Sequence, residues 1–208
     1  MFLTGICFIT ETSSSPLSSA EMTLMALRAG VRWVQYREKQ KNRHLLYYEA
    51  LNLRRLTRDF RAKLIVNDYV DIALAVNADG VHLGQEDLPI AEARRILGKD
   101  KIIGVSTHSI KEALRAEKQG ADYIGFGPIF HTTTKDAGPP KGLAMLRRIK
   151  SAVNIPVVAI GGINIENLPS VLETGVDAVA VASAILKGDI KKNARGFLKI
   201  IQKHGVRV

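Results

Sequence analysis

Two aspartates and an asparagine carry the first chemistry legible in this chain. Asn67 and Asp68 follow one short apolar run, Leu64 to Val66, and Asp87 follows another, Gly80 to Leu83. All three fall within IVNDYVDIALAVNADGVHLGQEDL, Ile65 to Leu88. If the two runs are neighbouring parallel strands, carboxylates 19 positions apart face one small volume at the strand ends. Two carboxylates and an amide suit a hard cation such as Mg2+, which prefers oxygen ligands and keeps several waters. A plainer assignment competes at each position. Asp68 could cap a helix starting at Tyr69, and Asp87 could serve the helix that starts near Pro89.

Basic and small residues at other run ends supply a complement. Gln35, Arg37 and Lys39 alternate, so they project to one face of a strand end. Opposite a metal, such a cluster suits a diphosphate, although strand-end Arg and Lys are often only solvated charges. Gly161-Gly162 ahead of a helix, with the region of Ser183, has the make-up of a phosphate site, or of an ordinary turn. Ser106 and His108 end a further run. His108 is either a general acid or a partner for the helix start. The long polar segment Gly127 to Gly142 contains Thr132, Thr133, Thr134 and Lys135. Long loops of this kind are usually functional. The residues imply a metal-assisted site with two anion pockets, for joining or splitting a diphosphate and a monophosphate compound.

These residues need a scaffold that gathers many strand ends. Short apolar runs at Ile6–Thr10, Val31–Arg37, Leu64–Val66, Gly80–Leu83, Lys101–Ser106, Asp122–Phe126, Pro156–Ile160 and Asp177–Val181 alternate with helical patterns. Ser18 with Glu21 and Ser109 with Glu112 have capping-box spacing. Pro89 fits a first helical turn, Asn164 a helix cap, and a basic helix closes the chain. A weak repeat, Gly30-Val-Arg-Trp, Asn77-Ala-Asp-Gly, Gly120-Ala-Asp-Tyr and Gly175-Val-Asp-Ala, precedes each even-numbered strand. Eight strands with a two-unit period predict a single-domain (β/α)8 TIM barrel over residues 1–208, whose site lies at the C-terminal strand ends. An open, doubly wound sheet is the alternative.

Bulk properties narrow the function classes. The 208 residues suffice for one large core. The opening MFLTGICFIT lacks a basic segment and is too short and broken for a signal peptide, and no run reaches membrane-span length. Cys7 is the only cysteine, which points to the reducing cytoplasm and to a core role for its thiol. Most of the net charge of +10 gathers in residues 187–208, with seven Lys and Arg against one Asp. On an amphipathic helix these form a solvated face, so neither nucleic acid nor membrane is expected as a partner. Self-association into a homo-oligomer stays open.

The motifs QYREK (Gln35 to Lys39), VND (Val66 to Asp68), ADGVHLGQEDL (Ala78 to Leu88), GVSTHS (Gly104 to Ser109), GPIFHTTTK (Gly127 to Lys135) and VVAIGGI (Val157 to Ile163) together resemble the thiamine-phosphate synthase family. They occur in family order over nearly the whole chain. The resemblance implies a triose-phosphate-isomerase-type barrel that couples hydroxymethylpyrimidine diphosphate to a thiazole phosphate with Mg2+, giving thiamine phosphate and diphosphate. By position it implies that Asp68 and Asp87 hold the metal. It implies that Gln35, Tyr36, Arg37, Glu38, Lys39, Asn67, Ser106 and Lys135 contact the pyrimidine diphosphate. Thr132, Thr133, Thr134, Gly162, Ala182 and Ser183 would receive the thiazole phosphate. The implied catalytic set is Arg37, Lys39, Ser106 and Lys135. Diphosphate would leave first, and the thiazole nitrogen would capture the resulting pyrimidine methylene cation. His131 departs from the proline that many members carry. A sister group with the same barrel acts as a thiazole tautomerase, with a catalytic histidine near the position of His108 and without the paired aspartates.

Overall fold

The alternation of apolar runs and amphipathic helices closes on itself. In the computed structural model, which describes residues 4–132 and 138–205, eight parallel strands form a closed barrel in chain order. The strands are β1 (Gly5–Ile9), β2 (Trp33–Tyr36), β3 (Lys63–Asn67), β4 (Gly80–Leu83), β5 (Ile102–Thr107), β6 (Tyr123–Phe126), β7 (Val157–Ile160) and β8 (Ala178–Val181). Between them lie α1 (Ser19–Ala29), α2 (Arg43–Asp59), α3 (Val70–Ala75), α4 (Ile90–Leu97), α5 (Ile110–Lys118), α6 (Gly142–Ala152) and α7 (Leu168–Leu172). After β8 come α8 (Ser183–Leu186) and α9 (Ile190–Lys203). The closed-barrel expectation holds, and the open-sheet alternative falls.

Closure splits the apolar residues into two sets. The larger lies between strands and helices and includes Phe8, Val34, Tyr36, Leu64, Val66, Val81, Ile103, Ile124, Val157 and Val179. The smaller fills the barrel: Cys7, Ile9, Trp33, Ile65, Tyr123, Val158, Ala178 and Ala180. Large side chains there oppose missing ones. Trp33 meets Tyr123 edge-on at 5.2 Å. A Cβ on Gly104 would stand 2.0 Å from the Tyr123 ring, so only glycine fits there. Burial holds the Cys7 thiol well above its ordinary pKa, which leaves it the small core residue its setting predicts.

The weak sequence repeat turns out to be a latch at the bottom of the barrel. Asp79, just before β4, donates its N–H to the Leu64 carbonyl and accepts the Leu64 N–H, both at 2.9 Å. Asp122 does the same with Ile103, at 2.8 and 2.7 Å, and Asp177 with Val157, at 3.1 and 2.8 Å. Each carboxylate also meets a cation from the last helix but one: Arg54 on α2, Arg94 on α4 and Lys150 on α6. In the first unit Arg32 takes this position, and its guanidinium instead serves the Leu27 and Val31 carbonyls.

Three local expectations are corrected. Ser109 Oγ accepts the Glu112 N–H, but the Glu112 carboxylate reaches past Ser109 to the His108 N–H at 2.8 Å, so this capping box is half formed. The box at Ser18 and Glu21 is complete. Asn164 does not cap α7. Its side chain accepts the Glu166 and Asn167 N–H groups and shapes a turn that delays the helix to Leu168. The helix of the terminal basic segment starts only at Ile190, after Gly188, whose φ of 76° is left-handed, and an Asp189 cap. On α9, Ile190, Ala194, Phe197, Leu198 and Ile201 face inward, while Lys192, Arg195 and Lys199 are solvated as expected.

Candidate active site

Strand alternation decides which residues reach the mouth. Inward positions on β2 are Trp33 and Gln35, with Arg37 next in phase just past its end, and on β3 Ile65 and Asn67, because their register partners and barrel contacts alternate with the outward Val34, Tyr36, Leu64 and Val66. Gln35, Arg37, Asn67, Ser106 and Ala182 are thus the upper inward layer. Tyr36 and Glu38 have the opposite phase, and the structure does not bring them to the mouth. Tyr36 donates its hydroxyl to Glu49 on α2 at 2.8 Å, and burial followed by that carboxylate pushes the phenol pKa up. Glu38 accepts from Thr12 Oγ1 at 2.8 Å and pairs with Lys41. Both fasten the β2–α2 segment.

Arg37 is held from two sides. Thr10 Oγ1 accepts the Arg37 N–H at 3.0 Å, and Glu11 meets the guanidinium at 2.5 Å. Glu11 is buried and also accepts from Ser13 Oγ. Glu11 stands out little in the sequence. Its one signal is an acid standing directly after the first apolar run. Below Arg37 the Cys7 thiol donates to Gln35 Oε1, and Gln35 Nε2 donates to Asn67 Oδ1 at 2.7 Å. These amides form a buried pair inside the barrel.

Neither aspartate is a helix cap. The residue preceding α3 is Tyr69, and the one preceding α4 is Pro89. Neither helix start receives a side-chain cap. Asp68 has a left-handed backbone, φ 66°, a conformation that costs a non-glycine residue about 1–2 kcal/mol. Its N–H extends the sheet to the His82 carbonyl at 2.8 Å, and its carboxylate meets Lys39 Nζ at 2.5 Å. Asp87 accepts the Gly84 N–H at 2.6 Å. Burial, and then the Asp68 carboxylate within hydrogen-bonding reach, raise the Asp87 pKa above the ordinary range. Two converging carboxylates are therefore present. Among the described residues no third Asp, Glu, His or Cys joins them. That donor set fits a cation that takes one or two carboxylates and completes its shell with water and substrate phosphate, as Mg2+ does.

A pocket opens in the rest of the mouth. Arg37, Glu11, Ser106, His108, Thr132, Gly161, Gly162, Ala182 and Ser183 line it, with Ile9, Ile160, Ile163 and Val181 as apolar walls. Gly161 and Gly162 have φ values of 97° and 65°, and a Cβ on either would strike the β6–α6 segment, at Pro128 Cα (2.6 Å) or the His131 carbonyl (2.4 Å). The glycines thus let that segment lie across the turn, where Ile129 and Phe130 donate to the Ile160 and Gly161 carbonyls. His108 Nδ1 lies 2.7 Å from the Gly127 carbonyl. A carbonyl only accepts, so Nδ1 carries the proton. Thr133, Thr134 and Lys135 lie outside the described residues.

The thiamine monophosphate synthase family model matches residues 6–185. The chain belongs to that family. It is 51% identical over 183 residues to thiamine-phosphate synthase of Clostridium acetobutylicum, covering 88% of this chain and 87% of the relative. To the Methanosarcina barkeri thiamine-phosphate synthase it is 46% identical over 197 residues, with coverage of 94% and 89%. The solved thiamine phosphate pyrophosphorylase of Pyrococcus furiosus superposes with a TM-score of 0.90 at 43% identity, over 96% of each chain. The chain is thus an enzyme, a transferase of thiamine biosynthesis. Among the described residues no helix is long and apolar enough to cross a membrane.

Proposed function

We propose that this chain joins hydroxymethylpyrimidine diphosphate to a thiazole phosphate, releasing diphosphate and forming thiamine phosphate. The observation that carries the reading is the convergence of Asp68 and Asp87 beside Lys39, at a mouth whose other side presents Arg37, Gly162 and Ser183. Asp68 and Asp87 would hold Mg2+, which when bound offsets charge on the departing diphosphate oxygens. Arg37, preset by Glu11, and the half-exposed Lys39 take the remaining phosphate charge. Lys135 is assigned the same task. Gln35, Asn67 and Ser106 orient the pyrimidine. Thr132, Thr133, Thr134, Gly162, Ala182 and Ser183 receive the thiazole phosphate.

The reaction runs by departure before attack. The bond from the pyrimidine methylene carbon to diphosphate oxygen breaks, and both electrons leave with diphosphate. The thiazole nitrogen lone pair then forms the new carbon–nitrogen bond. Ile9, Ile160, Ile163 and Val181 support this order, because an apolar wall keeps water from the cation. The acceptor is a plain or a ring-carboxylated thiazole phosphate. We place the enzyme in the cytoplasm, a setting supported by the single, fully buried thiol of Cys7.

The test is direct. The purified chain with both substrates and Mg2+ is expected to yield thiamine phosphate and diphosphate, and EDTA is expected to stop the reaction. Failure to form product with metal present would refute the reading. A thiazole tautomerase is the second reading, supported by His108, which lines the pocket with Nδ1 tied to Gly127. Isomerisation of a thiazole phosphate without pyrimidine or metal would favour it.

A further inference from the structure

The ADGVHLGQEDL motif contains a histidine that none of the preceding chemistry uses. His82 sits on β4, buried inside the barrel and below the pocket rather than on its lining. Its Nδ1 lies 2.9 Å from the Tyr123 hydroxyl, and its Nε2 lies 2.9 Å from Ser106 Oγ. The rings of His82 and Tyr123 lie 5.4 Å apart. Two glycines make the room. Gly104, the register partner of both His82 and Tyr123, leaves space for the phenol ring. Gly125, the register partner of Ser106, would place a Cβ 3.1 Å from His82 Cε1. Three adjacent strands are therefore arranged around one hydrogen-bonded chain, Tyr123–His82–Ser106, and only its last member reaches the pocket.

We propose that His82 is a positioning residue, which fixes the rotamer and the hydrogen-bond polarity of Ser106 so that the serine donates its proton to the bound pyrimidine substrate. The inference rests on the transferase reading above. The polarity follows from the buried end of the chain. Burial keeps the Tyr123 phenol protonated, with its pKa held well up. A buried O–H without an acceptor costs about 1–3 kcal/mol. His82 Nδ1 is the acceptor hydrogen-bonded to that phenol among the described residues. Tyr123 therefore donates to Nδ1, Nε2 keeps the imidazole proton, and Nε2–H donates to Ser106 Oγ. The serine proton is then directed to an acceptor in the pocket. Without the imidazole, Ser106 rotates among staggered positions and donates or accepts indifferently.

The test is a double-mutant cycle with rescue, read as kcat/KM for the pyrimidine diphosphate in the coupling assay. An asparagine amide reaches about as far as Nδ1 and a glutamine amide about as far as Nε2. His82→Asn thus keeps a partner for Tyr123 and loses Ser106, whereas His82→Gln keeps a donor for Ser106. His82→Asn is expected to lose about tenfold, the equivalent of one well-aligned hydrogen bond. His82→Gln should recover to within about threefold of wild type, and adding Ser106→Ala to His82→Asn should cost less than about twofold more. A His82→Asn enzyme at the wild-type rate, or losses that multiply in the double variant, would overturn the proposal. If His82→Asn does not melt cooperatively, Tyr123→Phe carries the test. It keeps the ring, removes the phenol proton, and is expected to lower kcat/KM only when Ser106 is present. A loss equally large in the Ser106→Ala background, or no loss at all, overturns the role. Wild-type enzyme runs alongside. If it does not couple the substrates, the transferase reading itself fails, whereas wild-type turnover with an indifferent His82→Asn removes only the positioning role.

Discussion

Replacing Asp87 by asparagine separates the two tasks its carboxylate can perform. In the folded chain Asp87 accepts the Gly84 N–H at 2.6 Å, and an asparagine oxygen accepts the same bond. The β4–α4 turn should therefore survive. What disappears is a negative charge facing Asp68, and that charge is a burden to the metal-free fold, since burial and Asp68 together raise the Asp87 pKa. Like charges about 4 Å apart repel by about 4 kcal/mol at an effective dielectric of 20, and partial exposure reduces this to about 1 kcal/mol. Metal-free Asp87→Asn is thus expected to be as stable as wild type or up to about 1 kcal/mol more stable, by urea unfolding at neutral pH. Its activity should fall by at least about a hundredfold, with the Mg2+ dependence shifted to higher concentration, because the cation loses one of two charged ligands. Wild-type thermal stability should rise with Mg2+, and that of the variant should not. Two results would refute the reasoning. Near-normal activity with unchanged metal dependence would mean Asp87 serves only the turn. A loss of more than about 2 kcal/mol in the metal-free protein would mean that the carboxylate is structural.

Two more outcomes follow from the same geometry. Glu11→Ala releases the buried partner of Arg37, so it should cost about 1–3 kcal/mol of stability and raise KM for the diphosphate substrate more than it lowers kcat, as steady-state kinetics would show. Asp79→Asn breaks the bottom latch far from the mouth and should cost about 2 kcal/mol with activity per folded molecule unchanged. Its pH signature is set by sign. Burial opposes ionisation of Asp79, but Lys63, the Leu64 N–H and Arg54 outweigh it and lower the pKa. The contribution is therefore full above the unfolded carboxylate value near pH 4 and is lost as pH falls through the lower folded value. Wild type and Asp79→Asn should converge in stability only in that acid window, and a constant difference down to pH 2 would contradict the assignment.

The order of eight strands, the closed barrel and the list of strand-end residues were legible in the chain because they depend on local pattern. Apolar runs of four to six residues, separated by amphipathic segments and Gly or Asp punctuation, leave a parallel sheet few alternatives. Asp68 and Asp87 could be paired from spacing alone, since neighbouring parallel strands bring their ends together. Motif identity carried Tyr36 and Glu38 along with Gln35 and Arg37, although strand phase turns them to the outer face. The phase was readable in QYREK, where alternate residues must part.

Chain order determined the barrel and the convergence of Asp68 and Asp87, because side-chain chemistry and period are properties of neighbouring residues. Which groups hold those residues in place was decided only by tertiary structure. Glu11 lies 26 positions from Arg37, and His82 lies 24 from Ser106 and 41 from Tyr123. Glycines 104 and 125 look like weak strand residues until closure sets an aromatic ring against each missing side chain. Barrel closure brings distant inward positions into one layer. Only there do the directions of hydrogen bonds, and the charges left for a ligand, become definite.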